Sequence, residues 1–123
     1  MRRAGDSSKP LIAGEVSWPS SLNQTDHVYD FETTPAGEAR NVSAVVPLLA
    51  ANRGRLRLMS FYFYTWMGDE FRGADPFSFA GLLAWRGGRV SAKPALKAFR
   101  QGALALERCR RKGRLATSCA ARA

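Results

Sequence analysis

The chain has 123 residues, 46% hydrophobic and 24% charged, an ordinary globular composition with enough length for one domain and one core. No run of eighteen apolar residues occurs, which excludes a membrane-spanning helix. The net charge of +9 raises nucleic-acid binding, but residues 1–99 carry 12 Lys/Arg against 9 Asp/Glu, while residues 100–123 carry 7 against Glu107 alone. The excess is a basic tail without interleaved aromatics, a pattern expected of a solvated terminus rather than of a base-stacking surface.

The opening "MRRAGDSSKP" has two arginines but no apolar stretch after them, so it is not expected to be a secretory signal. Nothing else in the sequence points to a compartment. Residues 10–16 then read as a short buried strand, a nearly continuous apolar run interrupted by Gly14 and Glu15. A carboxylate buried there needs a partner, such as Arg57, or a function, because burial of an unpaired charge is costly.

"SWPSSLNQTDHVYDFETT" follows, eighteen residues without periodicity. A loop of that length inside a compact domain is usually functional or disordered, and Trp18, Tyr29 and Phe31 argue against disorder. The single histidine, His27, reads as a surface residue of this loop. A helix is expected from Pro35, with Thr34 as N-cap, Glu38 near its positive end and Ala39, Val42, Val45, Val46 and Leu49 as its apolar face. Pro47 should kink it and Gly54 should end it.

Residues 55–64, "RLRLMSFYFY", give the strongest strand pattern, with Leu56, Leu58, Ser60, Tyr62 and Tyr64 expected on one face. After a loop, "FAGLLAWRGGRVS" reads as a hairpin turning at Gly87-Gly88. Pro94 opens a last helix with Leu96, Phe99, Ala103 and Leu106 as its stripe. Beyond it, Cys109 and Cys119 are either a small disulfide loop or two separate thiols; with no CxxC and no neighbouring histidine, no zinc site is expected. The domain division is therefore residues 1–107 and a basic tail, 108–123.

The order strand, helix, strand, helix favours parallel strands covered by helices. At this point the motifs become recognisable. "GDSSKPLIAGEVSWPSS" resembles the seventh strand of retaining glycoside hydrolases of the (β/α)8 barrel superfamily that includes cellulases, β-xylosidases and β-glucanases. "LRLMSFYFYTW" is similar to their eighth strand, and "FAGLL" with "KPALKAF" to the approach to their last helix.

The resemblance implies an α/β fold, the last two β/α units of a partial TIM barrel plus a small hairpin. It also implies an O-glycosyl hydrolase ancestry with β-linked carbohydrate as partner and no cofactor or metal. Glu15 would stand at the catalytic nucleophile position, and Trp66, Trp18, Tyr64 and Asp69 would contact substrate, with Glu70 a further acceptor for sugar hydroxyls. A retaining enzyme needs two carboxyl groups about 5–5.5 Å apart. In the resembled family the second follows an asparagine, and no Asn-Glu pair occurs in this sequence. Gly14 also stands where the family places threonine. A complete barrel needs ~250 residues, so the chain is expected to be a fragment, inactive by itself. Two other classes stay open: a non-catalytic carbohydrate-binding fragment, and a small basic module binding nucleic acid through "RCRRKGR".

Overall fold

The computed structural model describes residues 5, 8–26, 29–71 and 74–111, with side chains as far as Leu106. His27, both cysteine side chains and the basic segment beyond residue 107 lie outside the described side chains, and with them the disulfide and nucleic-acid expectations.

Strand β1 (Leu11–Val16) is followed by the long loop and helix α1 (Pro35–Leu56), which leads into strand β2 (Leu58–Phe63). Thr34 caps α1 by accepting from the Gly37 amide at 3.1 Å, and Pro35 occupies its first turn. The helix passes through both expected breakers. Pro47 deprives the Ser43 carbonyl of its helical donor, but Ser43 is exposed and water can replace it. The end comes instead at Arg57, which takes the left-handed conformation (φ 52°) and donates its N–H to the carbonyls of Arg53 and Gly54.

β1 and β2 pair in parallel, from Leu11 opposite Leu58 to Val16 opposite Phe63. One flank of this pair packs on the helices. Phe61 and Phe63 both meet Phe99 of helix α2 (Pro94–Arg111), at centroid separations of 6.4 and 5.8 Å. Of the residues expected to share one face, Leu58 is buried while Tyr62 and Tyr64 are exposed. The core itself lies between α1 and α2, where Val42 and Val46 meet Ala95, Ala98 and Leu82.

The expected partial (β/α)8 barrel is not what the chain forms. The described residues form a small mixed α/β structure with two helices and two separate sheets, of two and three strands. β2 does not feed a helix that returns to the same sheet. Its continuation is captured by another segment: Leu82 N donates to Thr65 O (3.0 Å) and Leu83 N to Trp66 O (2.9 Å).

That diversion starts a second sheet. Strand β3 (Met67–Asp69) pairs in parallel with β4 (Leu83–Arg86), and β4 pairs antiparallel with β5 (Arg89–Ala92). The β4–β5 turn is the expected Gly87-Gly88, with positive φ at both glycines (52° and 85°), as a type I′ turn requires. β3 and the 3₁₀ turn Pro76–Phe79 were not expected from the sequence. They touch backbone to backbone: a Cβ on Gly68 would fall 2.0 Å from Ser78 O, and one on Gly81 would fall 2.2 Å from Gly68 N.

Leu82 is 1% exposed and joins the second sheet to the helical core. Leu82→Ala is expected to lower unfolding free energy by about 2–5 kcal/mol, measured by urea denaturation. A loss under ~1 kcal/mol would mean that the two sheets do not share this core.

Candidate functional site

The sequence-expected residues fall into three environments. Tyr64 and Asp69 meet in one place, an open pocket of about 330 Å³ that is also lined by Thr65, Met67, Gly68, Asp75, Phe77 and Ser78. Trp66 stands between them in the chain and is 62% exposed. Trp18 is half-buried against the core between the helices, where it is a packing residue. Glu15 is exposed on β1, so it does not bear the desolvation cost that made it conspicuous in the sequence. It lies where the β1–β2 register slips, between Ala13 and Val16, and the next residue accepts from the Tyr64 amide at 3.1 Å. The ion pairs among the described residues do not include Glu15 with Arg57.

The pocket has an aromatic flank. Tyr64 meets Phe77 edge to face at 6.3 Å, Phe77 stacks on Phe31 at 5.7 Å, and Phe31 stacks on Tyr29 at 5.2 Å. All four rings are partly exposed, which is unusual for a continuous row of aromatics. Hydrogen bonds from the backbone amides of Phe77 and Tyr29 hold two of them. Asp75 caps the 3₁₀ turn by accepting from Phe77 N at 2.8 Å. The long loop is organised around buried Glu32, which accepts from Ser21 Oγ (2.7 Å), Thr25 Oγ1 (3.2 Å) and Tyr29 N (2.9 Å). Burial pushes the Glu32 carboxyl up, but these three donors outweigh it and hold the group below its ordinary value.

Next to the pocket residues Asp69 and Ser78 in the chain, Glu70 and Phe79 take part in a group of buried charges that the sequence did not reveal. Lys93 Nζ lies 2.9 Å from Glu38 Oε2 and 3.2 Å from Glu70 Oε1, and it donates to Phe79 O at 2.5 Å. Both carboxylates are fully buried. Arg86 pairs with the other oxygen of Glu70 from the solvent side. Glu70 is therefore a structural carboxylate rather than an acceptor for a ligand. Neither Glu38 oxygen has a well-formed hydrogen bond among the described residues. Desolvation, only partly offset by Lys93, raises the Glu38 carboxyl from 4.5 to about 7.

The only sequence signals for this cluster were an acidic first helical turn at Glu38 and a lysine before Pro94. No group of three or more metal-ligating side chains occurs among the described residues. No helix there is long and apolar enough to cross a membrane. No family model, curated protein or solved structure matches this chain.

Glu38 keeps its proton in the folded state after the unfolded chain has lost its own, so rising pH favours unfolding across that interval. Stability should fall between pH 4.5 and about 7, with Glu38 contributing up to ~3 kcal/mol of the change. Glu32 works in the opposite sense but only below pH 4.5, where its stabilisation is lost on acidification. Urea denaturation at intervals of pH checks this: the slope should be present in the wild type and absent in Glu38→Gln. Lys93→Met should cost about 3–5 kcal/mol at pH 8, where two buried carboxylates lose their shared partner.

Proposed function

We propose that this chain binds β-linked carbohydrate in the open pocket between β3 and the 3₁₀ turn, and that it does so without hydrolysing it. The observation that carries the reading is the composition of that pocket: exposed Tyr64 and Phe77 rings beside the Asp69 and Asp75 carboxylates and the Thr65 and Ser78 hydroxyls. A sugar ring offers apolar C–H faces and a rim of hydroxyl donors. Aromatic faces match the first, and carboxylate and hydroxyl oxygens match the second. Phe31 and Tyr29 continue the aromatic flank beyond one ring, which suits an oligomer better than a monosaccharide. Trp66, exposed next to the pocket in the chain, supplies a further surface of the same kind.

The resemblance to retaining glycoside hydrolases supports the same ligand class and adds a proposed origin, with Glu15 at the nucleophile position. Turnover needs a second carboxyl group to protonate the leaving oxygen. The Asn-Glu signature that would supply it is missing from the sequence. Binding rather than hydrolysis is therefore the function proposed. Two carboxylates in the pocket also oppose a phosphate backbone, so nucleic acid is the less favoured ligand.

Calorimetric titration with β-linked gluco-, xylo- and manno-oligosaccharides tests this reading. At least one should bind with no release of reducing sugar, and Phe77→Ala should weaken it by about three- to tenfold. Absence of binding across the panel would contradict the proposal. Sugar release that disappears in Glu15→Gln would replace it with the catalytic reading.

A further inference from the structure

The buried charges and the pocket share backbone. Lys93 has three partners: Glu38 in the first turn of α1, Glu70 directly after β3, and the Phe79 carbonyl at the end of the 3₁₀ turn. The last two adjoin the pocket. Glu70 follows Asp69, and Phe79 follows Phe77 and Ser78, all three of which line it. Glu70 is further fixed by its amide, which donates to Trp85 O at 3.0 Å. Glu38 has no contact with the pocket lining among the interactions described, and its amide belongs to α1, donating to Thr34 O at 2.8 Å. One ammonium group therefore joins the helical core to both walls of the pocket.

We propose that Glu38, Lys93 and Glu70 form a proton-sensitive clamp that regulates the pocket, with gain of a proton at Glu38 committing Lys93 to the two pocket walls and loss of that proton drawing Lys93 back toward α1. The regulatory part rests on the carbohydrate-binding reading above; the coupling of Glu38 to the pocket walls does not. The charged groups facing Glu38 are Lys93, from the turn into α2, and Glu70, from the end of β3. Arg86 of β4 faces Glu70 on its outer side, and the loop at residues 19–21 brings the uncharged Ser20 hydroxyl.

With Glu38 ionised, the cluster holds two buried anions around one buried cation, with Arg86 at the surface. With Glu38 neutral, Lys93 is balanced by Glu70 alone, and its interaction with the Phe79 carbonyl loses its competitor. A pocket whose walls are fixed in advance loses less entropy on binding, so the protonated state is the tighter binder. Burial places this exchange near neutrality, at about pH 7.

Amide resonances of Asp69, Phe77 and Ser78, followed by nitrogen-15 NMR from pH 5.5 to 8.5 on the full chain, test the coupling without any ligand. His27, the only histidine, ordinarily titrates in the same window, so His27→Gln is the control. The three amides should shift with a midpoint near 7 in wild type and in His27→Gln, and should stay flat in Glu38→Gln. The carbon-13 shift of the Glu38 carboxyl in wild type should give the same midpoint, whether or not the variant folds. Flat wild-type amides, or a transition retained in Glu38→Gln, would overturn the clamp.

Calorimetry with the best-binding oligosaccharide of the β-linked panel then tests regulation. Affinity should be about fivefold higher at pH 6 than at pH 8 in wild type, the low end of typical coupling between sites. It should be equal at the two pH values in Glu38→Gln. Equal wild-type affinities despite titrating amides would overturn the regulatory role. Titrating amides with no sugar bound at any pH would overturn the carbohydrate reading and leave the clamp standing.

Discussion

The contact on which most of this structure depends is the single buried ammonium of Lys93. It reaches the first turn of α1, the end of β3 and the last carbonyl of the 3₁₀ turn, from a position one residue before α2. The second sheet has little apolar surface of its own with which to dock, since β5 is exposed throughout and β3 is three residues long. Among the described residues, Leu82 and Lys93 both tie that sheet to the helices, Leu82 by packing and Lys93 by its ion pairs and by its amide, which donates to Leu82 O at 3.1 Å. Such an arrangement carries its own vulnerability. A buried pair often contributes less to stability than apolar packing of equal volume, yet losing Lys93 would leave Glu38 without a cationic partner and Glu70 with Arg86 alone.

The placement of the pocket follows from that attachment. After β2 the chain leaves the first sheet, and hydrogen bonds from Leu82 and Leu83 to Thr65 and Trp66 set β3 alongside β4. Close approach between Gly68 and the 78–81 backbone brings the 3₁₀ turn against β3, because neither glycine has a side chain to hold them apart. The rings of Tyr64 and Phe77 therefore face one opening, with Asp69 and Asp75 beside them. Glu32 performs the equivalent task for the long loop, turning an eighteen-residue connection into an ordered support for Tyr29 and Phe31.

Where local chemistry decides conformation, the sequence was readable. Thr34-Pro35 begins a helix, Gly87-Gly88 closes a hairpin, and Pro94 opens the last helix. Residues 58–63 were readable as a strand but not in their facing. Aromatics occupy both sides of it, so alternation alone does not distinguish core from solvent, and the phenolic hydroxyls of Tyr62 and Tyr64 went outward while Phe61 and Phe63 went in. Gly54 did not end α1 because a left-handed Arg57 could complete the cap three residues later.

What depends on distant contacts was not readable. The strand–helix order suggested parallel strands covered by helices, and the resemblance a barrel segment, yet the partner chosen by the chain after β2 was settled by backbone hydrogen bonds that no periodicity records. Of the residues lining the pocket, Tyr64 and Asp69 were named as candidates through the resemblance, whereas Asp75, Phe77 and Ser78 were part of an undifferentiated loop. Glu38 and Lys93 are 55 positions apart, and each had an ordinary local explanation. The proposed carbohydrate site is the pocket between β3 and the 3₁₀ turn. Its most direct test is a nitrogen-15 NMR titration of the full chain with β-linked oligosaccharides, mapping every shifted amide. Carbohydrate binding there should give saturable shifts concentrated at Tyr64, Asp69, Asp75 and Phe77; no saturable shift, or one concentrated away from these residues, would contradict it.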